Sequence, residues 1–301
     1  MQRHINTDDY PVIASMLRAG YSQVDIAKIL GFTKGAISKE IQRNKDKDGV
    51  YRAHNARRKA KQRRKESKIR YRKIDNNPEV IKKIENTLSP LISPEVVAHQ
   101  LGIHHQTIYS WIYRSRHDLL SLLPQRGRKR RRYGSKRAKK QGWTQNVKSI
   151  HEKPNITIYW EGDTIKGRTK SRVLTHVEHT SLYTRADLIP DGTADSVHAV
   201  LKKKPIKNNI IYDRGSEFAL WEMIERDCGI EIFFADPHAP WQRPKNENTN
   251  GRLRRVYPKK FDFDTITDRQ LQKSVQLMNN TPRKTLNWRT PAEVYESLLS
   301  G

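Results

Sequence analysis

Three acidic residues in the C-terminal half of the chain could hold metal ions for chemistry on a phosphodiester. Asp163 lies in a run of alternating and β-branched residues, Asp213 ends the apolar run NNIIYD, and 33 residues separate Asp213 from Glu247. Reactions at a DNA phosphodiester need hard oxygen ligands, because two Mg²⁺ ions about 4 Å apart clamp the attacking and leaving oxygens. Residues 149–301 contain 20 acidic residues, so spacing alone does not single out this trio.

The elements that would position these residues are predicted from about residue 156 onward. The runs ITIYWEGDTI, SRVLTHVEHTS and LYTRADLIP are typical of strands, as are the shorter NNIIYD and EIFFAD. Helices are predicted for TADSVHAVLKKK, for residues 217–228, and from Pro244 to just before Pro258. Three strands followed by alternating helices and strands imply a mixed α/β sheet with helices on its faces. Carboxylates from two strands and a helix could converge at its edge.

The sequences around the three acidic residues resemble a known family. YWEGDTIKG, DRGSEF, FFADPHAPWQRPKNENTNGRLRRVYP and the C-terminal MNNTPRKTLNWRTPAEVY resemble the DDE transposases of bacterial insertion sequences, in the group called the insertion-sequence thirty family. The segment YSQVDIAKILG…ISKEIQRN resembles the N-terminal DNA-binding region of that family. The resemblance implies a ribonuclease-H-like, integrase-type catalytic domain. In it, Asp163, Asp213 and Glu247 would be the catalytic residues and the ligands of two Mg²⁺ ions, for which Mn²⁺ can substitute.

The function that this resemblance implies is DNA transposition. Such a transposase binds the terminal inverted repeats of a mobile element and catalyses Mg²⁺-dependent strand cleavage and strand transfer, in the bacterial cytoplasm and on the nucleoid. Its partners would be double-stranded DNA, both element ends and target, and further copies of itself in a homodimer or higher oligomer that joins two ends.

The chain departs from the family pattern at two places, and two alternative functions stay open. Arg214 stands where the family usually has Asn, and Pro244-Lys245 stands where it usually has Gly-Thr. The first alternative is a sequence-specific DNA-binding regulator whose catalytic module is inactive. The second is a nuclease that cuts DNA without joining it.

The overall charge points independently to nucleic acid. The 301 residues carry 59 Lys and Arg against 32 Asp and Glu, a formal net charge of +27. Such a surplus opposes compaction by self-repulsion, so it indicates a polyanionic partner. No apolar run approaches the roughly 18 residues of a membrane-spanning helix, so no membrane partner is expected. The single cysteine, Cys228, excludes an internal disulfide.

Most of the surplus charge lies in two short segments. Residues 57–73 carry a net charge of +10 and residues 124–148 a net charge of +11. We therefore predict a helix-turn-helix DNA-binding domain at 1–56, a basic connector at 57–73, a second helix-turn-helix domain at 74–123, a basic linker at 124–148 and the catalytic domain at 149–301. The connector has the composition of a helix that could lie along a phosphate backbone. The linker, broken by Pro124 and three glycines, should be extended and should contact DNA through Arg128, Arg130 and Arg131.

Residues 21–44 and 93–115 repeat one helix-turn-helix pattern. The apolar positions of the first copy, including Val24, Ile26 and Ile37, follow helical spacing. Six positions match at one offset of 71 residues: Ser22/Ser93, Ala27/Ala98, Leu30/Leu101, Gly31/Gly102, Ile37/Ile108 and Ile41/Ile112. Ser22 and Thr33 are predicted to cap the two helices of the first copy, and Gly31 to provide the positive φ of the turn.

The second helix of each copy is expected to enter a major groove. The expected DNA-contacting residues are Lys34, Ser38, Lys39 and Gln42 in the first copy and His105, Gln106 and Tyr109 in the second. They form faces of small, polar and basic side chains, which suit base and phosphate contacts.

The residues near the expected metal ligands have assigned roles too. Glu161 and Glu217 are interpreted as neighbours of the ligands and not as ligands. Arg254 follows Glu247 by seven residues, so it should share its helix face and contact the phosphate beside the cleaved bond. Gly251, on the same face, would allow the DNA to approach closely. The alternative is that Arg254 is one of three basic residues on a solvated helix.

Overall fold

The structure is a computed structural model that describes residues 4–67, 69–125, 147–155, 158–237 and 239–300. It divides into two compact units, Met1–Ile81 and Lys82–Gly301. The predicted DNA contacts of Arg128, Arg130 and Arg131 lie outside the described residues.

The helices α1 (Asp9–Arg18), α2 (Gln23–Leu30), α3 (Lys34–Asn44) and α4 (Ala53–Ser67) lie in the first unit. The Ser22 hydroxyl accepts a hydrogen bond from the Asp25 N–H, and the Thr33 hydroxyl accepts one from the Ala36 N–H, so both predicted caps are present. Gly31 has a φ of 71°, the left-handed conformation that the turn requires. Of the apolar positions predicted from spacing, Val24 is the exception, because its side chain is exposed.

Helix α4 covers most of the predicted basic connector, and it packs into the first unit. Its Ala56 is fully buried in the core that α1, α2 and α3 form. The Lys59 ammonium binds the carboxylate of Asp46 at 3.0 Å, and Arg63 donates to the Asn44 side chain at 2.7 Å. The boundary predicted after residue 56 therefore falls inside a helix. The basic segment belongs to this helix because the helix also has an apolar face, which packs against the core of the first unit.

The second helix-turn-helix belongs to the second unit. Helix α5 (Pro78–Thr87) precedes α6 (Pro94–Leu101) and α7 (His105–Ser115), and Gly102 between them has a φ of 62°. The repeat predicted at an offset of 71 residues is thus present as two helix-turn-helix units. They differ at the first cap, since the Ser93 side chain makes no capping hydrogen bond.

A five-stranded mixed sheet forms the centre of the second unit. Its strands are β1 (Tyr159–Lys166), β2 (Arg172–Glu178), β3 (Thr184–Ile189), β4 (Asn209–Tyr212) and β5 (Ile232–Phe234), in the order β3-β2-β1-β4-β5. The first three strands form an antiparallel meander, while β1, β4 and β5 are parallel. Asp163 lies within β1, opposite Thr175 of β2, and Asp213 directly follows the last residue of β4.

Helices cover both faces of this sheet. Helices α8 (Ala194–Lys203) and α9 (Trp221–Cys228) pack with Trp160 and Leu174 on one face. Helices α10 (Pro244–Val256) and α11 (Asp268–Asn279) pack with Ile165 and Val173 on the other, and α12 (Pro291–Ser300) follows. Successive strand residues point to opposite faces, so Asp163 shares the face of Ile165 and α10.

The predicted fold class is confirmed. An α/β domain of the ribonuclease-H-like kind, a mixed sheet with a meander and two parallel strands, is preceded by all-α helix-turn-helix units. Within the described residues, no helix is long and apolar enough to cross a membrane.

Candidate active site

Asp163 and Asp213 occupy equivalent places on two parallel neighbouring strands. The last residue pair between β1 and β4 is Glu161 with Ile211, and each aspartate lies two residues beyond it. Gly162 leaves room for the Tyr212 ring here, since a Cβ at this position would stand 2.1 Å from that ring. The parallel pairing thus brings two carboxylates, 50 residues apart in the sequence, to equivalent positions just beyond the end of the β1–β4 ladder.

Each carboxylate is held by hydrogen bonds to both of its oxygens. Asp163 Oδ1 accepts from the N–H of Thr164 at 2.8 Å, and its Oδ2 accepts from the Asn250 amide on α10 at 2.8 Å. Asp213 Oδ1 accepts from the N–H of Gly215 at 3.0 Å, and its Oδ2 accepts from Arg243 at 2.9 Å. The two side chains are therefore oriented before any ligand arrives.

Electrostatics around Asp163 favour a bound cation. Burial, together with the charges of Asp213 and Glu217, raises the pKa of its carboxyl to about 6 against the opposing charge of Arg243. Neighbouring like charges and low dielectric both disfavour the carboxylate. A positive ion between the two aspartates would relieve this cost.

Arg243 supplies positive charge to the pair. Its side chain is only 12% exposed and donates to the Gly162 carbonyl at 2.7 Å as well as to Asp213. Its Nε is buried and has no hydrogen-bond partner among the described residues. Arg243 directly precedes α10, so this contact also ties the start of that helix to the sheet.

Helix α10 is fixed beside the aspartates by a buried glutamate. Glu161, which is fully buried, accepts a hydrogen bond from the backbone N–H of Asn246 at 2.9 Å, and its backbone carbonyl accepts one from the Asn246 amide at 2.7 Å. Its other carboxylate oxygen is 2.9 Å from His179 Nδ1. The interpretation of Glu161 as a neighbour and not a ligand fits these contacts, because its side chain satisfies the N-terminus of α10.

Glu247 lies in the first turn of α10, as predicted, and its side chain is exposed. Among the described residues, no three His, Cys, Asp or Glu side chains lie close enough together to hold a metal ion. The structure thus brings Asp163 and Asp213 together, without gathering Glu247 as a third carboxylate beside them. Carboxylates repel one another, so a group of them needs positive charge nearby. Here the Arg243 guanidinium supplies that charge at Asp213.

Glu217 is the other acidic side chain near the aspartates. Its Oε1 accepts from the Thr164 hydroxyl at 2.7 Å and lies 3.5 Å from Arg172. A Cβ built on Gly215 would be 2.7 Å from Glu217 Oε2 and 3.0 Å from Asp213 Oδ1, so the two carboxylates flank one glycine. This position makes Glu217 the natural control for the assignment of Glu247.

Arg254 makes contacts that helix phase alone did not predict. Its Nη2 donates to the Lys166 carbonyl at the end of β1, at 2.7 Å, and burial lowers its pKa against the charge of Asp163. Arg252, Arg254 and Arg255 are all half-buried, so the alternative of a solvated basic trio is wrong. Gly251 is exposed, with no atom within 4 Å of where its Cβ would be. The phosphate contact of Arg254 stays a prediction.

The predicted DNA face of the first unit is accessible. Lys34, Lys39 and Gln42 on α3 are exposed and Ser38 is half-buried, while Ile37 on the opposite side is fully buried.

The predicted DNA face of the second helix-turn-helix is partly covered. Gln106 is exposed, but His105 lines a cavity together with Lys284 and Trp288 from the catalytic part of the same unit. Tyr109 is half-buried, and burial and the nearby Glu95 raise its pKa. Tyr109 was expected to lie on an open face, and this expectation is corrected: its side chain is partly covered. The reason is that α6 and α7 pack against segments that follow the sheet in sequence.

Three residues that matter for this site were not identified from the sequence: Arg243, Asn246 and Asn250. The asparagines belong to the NENTN run that precedes the Gly-Arg pair, and Arg243 belongs to the PWQRP segment. Their place within the motif was the available signal, but their contacts reach across more than 80 residues to β1.

Comparison with known proteins decides the family. No family model matches the chain. The chain is 32% identical to the transposase for insertion sequence element IS4351 of Bacteroides fragilis, over 100% of this chain and 98% of that protein. It is 31% identical to the transposase InsI for insertion sequence element IS30A of Escherichia coli, over 97% of this chain and 83% of that protein.

The chain belongs to the insertion-sequence thirty family of transposases. The resemblance of its motifs is thereby confirmed. The chain is also similar to the transposase for insertion sequence element IS1086 of Cupriavidus metallidurans, at 31% identity over 91% of this chain and 89% of that protein. Among solved structures, the catalytic core domain of BIV integrase matches 48% of this chain and 97% of its own, at 20% identity and a TM-score of 0.38.

The two departures of this family member from the usual pattern have structural places. Arg214 donates through Nε to the Ala235 carbonyl, just after β5, at 3.3 Å. Pro244 is the first residue of α10, where a proline needs no partner for its missing N–H. Neither departure replaces Asp163, Asp213 or Glu247.

Proposed function

We propose that this chain is an active DDE transposase that binds the terminal inverted repeats of a mobile element and catalyses DNA strand cleavage and strand transfer. The observation that carries the proposal is the placement of Asp163 and Asp213 just beyond the last residue pair of two parallel strands, with α10, the helix that carries Glu247, tied to Asp163 through Asn250. Membership of a transposase family over the full length of the chain supports it.

The donor chemistry of the site fits divalent magnesium. Asp163, Asp213 and Glu247 offer only oxygen ligands, and Arg243 already provides a cation at Asp213. These three carboxylates would hold two Mg²⁺ ions, for which Mn²⁺ can substitute. When bound, the ions supply the positive charge that activates the attacking oxygen and stabilises the leaving oxygen.

The residues of the chain keep the carboxylates in place for this role. Asn250 holds Oδ2 of Asp163, and Glu161 fixes the N-terminus of α10, which carries Glu247. A shift of about 1 Å in a catalytic group can slow a reaction by about a hundredfold, so these contacts matter for rate. Arg243 orients Asp213 and screens the charge of the pair.

The reaction class is phosphoryl transfer on DNA without a covalent protein intermediate, a hydrolysis followed by a transesterification. In the first step a water oxygen bonds to the phosphorus at the element end, the bond to the 3′ oxygen breaks, and a 3′-hydroxyl is released. In the second step that 3′ oxygen attacks a phosphorus of target or partner-end DNA, and the bond to its own leaving oxygen breaks. The number of phosphodiester bonds is unchanged by the second step.

DNA recognition is assigned to the helical parts of the chain. Lys34, Ser38, Lys39 and Gln42 would contact one part of the end, and Gln106 another. The two basic segments, 57–73 and 124–148, would neutralise phosphates. Because two ends must react together, the working form would be a dimer or a higher oligomer on DNA.

A strand-transfer assay tests the proposal. Purified full-length protein is incubated with Mg²⁺, a labelled duplex carrying the terminal repeat of its own element, and a target plasmid. Cleavage at the repeat end and joining of its 3′-hydroxyl to the plasmid are expected, and both should be lost in EDTA. Binding without cleavage would indicate the regulator, and cleavage without joining would indicate the nuclease; either result would contradict the proposal.

A further inference from the structure

Helix α10 borders a small basic cavity on the side that faces away from Glu247. The cavity has a volume of about 130 Å³. It is lined by side chains from one face of α10, from β3 and from the segment between α11 and α12: Lys245, Asn248, Arg252, Thr184, Arg283 and Thr285. Lys245 and Arg252 are seven residues apart and so share a helix face, while Glu247 points in a different direction.

Arg283 is a buried cation with an unused donor in this cavity. The residue is only 7% exposed, and its Nη1 is buried without any hydrogen-bond partner among the described residues. Its Nη2 donates to the Met278 carbonyl at 2.9 Å. A buried guanidinium donor that lacks a partner is costly, because the group has lost its water without a replacement. Such a donor is explained if a ligand supplies the acceptor.

The surroundings of Arg283 are positively charged. Burial, together with the nearby charges of Arg252 and Arg255, lowers the pKa of Arg283 to about 9. Burial likewise lowers the pKa of Arg252 to about 10. No acidic side chain lines this cavity in the part of the chain that the structure describes. Like charges held together at a solvent-reachable cavity indicate an anionic ligand.

We propose that the cavity bounded by Lys245, Arg252 and Arg283 binds a phosphate of the DNA backbone, across helix α10 from the Asp163–Asp213 pair. The identity of the anion as DNA rests on the proposed function. The Arg283 Nη1 donates to a phosphate oxygen, and the hydroxyl of Thr285, an exposed residue of the lining, adds a second donor. One DNA molecule held at both sides of α10 would be fixed in direction as well as in position.

The test is the salt dependence of DNA binding by the full-length protein. A fluorescent DNA duplex of random sequence is titrated at several salt concentrations with wild type, Lys245→Gln, Arg252→Gln and Arg283→Gln. Each lost phosphate contact should make the slope of log K against log salt shallower by about one, with about a tenfold weaker affinity at physiological salt. Arg226→Gln on α9, whose side chain is 70% exposed, is the matched control and should leave the slope unchanged. Unchanged slopes in the three cavity variants would overturn the proposal.

Two further measurements distinguish a DNA phosphate from a free anion and a lost contact from a lost fold. Thermal unfolding checks that each variant folds. If Arg283→Gln does not fold, the salt dependence of the Lys245→Gln and Arg252→Gln variants still tests the proposal. Unfolding is also followed in inorganic phosphate against chloride of equal ionic strength. Stabilisation by phosphate with unchanged DNA slopes would mean that the cavity holds a free anion, and would overturn the DNA assignment. The binding assay does not depend on catalysis. A shallower slope in the cavity variants, with no strand transfer by the wild type, would contradict the proposed function and still support the phosphate site.

Discussion

Arg243 and Asp213 form an ion pair, with 2.9 Å between Nη2 and Oδ2, that joins the residue before α10 to the residue after β4. The Arg243 side chain is largely buried, whereas Asp213 is 42% exposed. The guanidinium therefore occupies the inner side of the carboxylate, and the outer side is open to solvent.

Replacing this guanidinium should increase the effect of magnesium on stability. In Arg243→Ala the negative charges of Asp163 and Asp213 repel each other without a nearby positive charge. We therefore expect the Tm without divalent ions to fall by roughly 2–4 °C, the change that about 1 kcal/mol causes in a domain of this size. Mg²⁺ should then raise the Tm more than in wild type, because an ion that binds only the folded state stabilises it. Scanning calorimetry over a Mg²⁺ series measures both, with the exposed Arg226→Ala as control. A Mg²⁺-dependent rise equal to that of wild type would contradict the expectation.

The triad should be essential for cleavage and not for binding. Asp163→Asn, Asp213→Asn and Glu247→Gln should each slow strand cleavage by about a thousandfold or more, since losing a metal ligand forfeits several kcal/mol of transition-state stabilisation. Gel-shift affinity for the end duplex should stay near that of wild type. Glu217→Gln is the matched control, and its cleavage rate should stay within about tenfold of wild type. If Glu217→Gln abolishes cleavage and Glu247→Gln does not, the third ligand has been assigned to the wrong glutamate.

Two glycines near the site should respond oppositely to alanine. Gly162→Ala places a Cβ 2.1 Å from the Tyr212 ring, so it should destabilise the fold by about 1–3 kcal/mol, the usual effect of overpacking. Gly251→Ala on α10 meets nothing within 4 Å and should stabilise the helix by about 0.5–1 kcal/mol. Urea unfolding compares the two. If DNA approaches Gly251 closely, the stabilised variant should still cleave more slowly; unchanged cleavage would place the DNA elsewhere.

The outward face of α3 should account for part of the salt dependence of binding. If about eight phosphates are neutralised in all, log K should fall with log salt at a slope near −7. Lys39→Gln should make that slope shallower by about one, whereas Gln42→Ala should mainly alter sequence preference. Lys28→Gln on the exposed side of α2 is the control. Fluorescence anisotropy measures the binding. Equal salt slopes for Lys39→Gln and Lys28→Gln would contradict a DNA-contacting role of α3.

The sequence by itself determined the local elements and the family. Ser22, Thr33 and Gly31 act within a few residues of themselves, so cap and turn chemistry predicts them. The alternation of apolar residues predicted the strands, and the placement of Asp163 on one strand and Asp213 after another predicted that their carboxylates could converge; the parallel pairing of the two strands came from the structure. These features are periodic or short-range, and a single sequence contains them in full.

Only the tertiary structure decided what surrounds the carboxylates. Arg243 at Asp213, Asn250 at Asp163 and Arg283 beside Arg252 are contacts between side chains that lie about 30 to 90 residues apart. Helix phase placed Arg254 on the face of Glu247, and only the fold shows that its guanidinium donates to the Lys166 carbonyl at the end of β1. Likewise, the spacing of α7 could not reveal that Tyr109 is partly covered. Periodicity gives the face on which a side chain lies, whereas its partner depends on how the elements pack, and that geometry exists only in the folded chain.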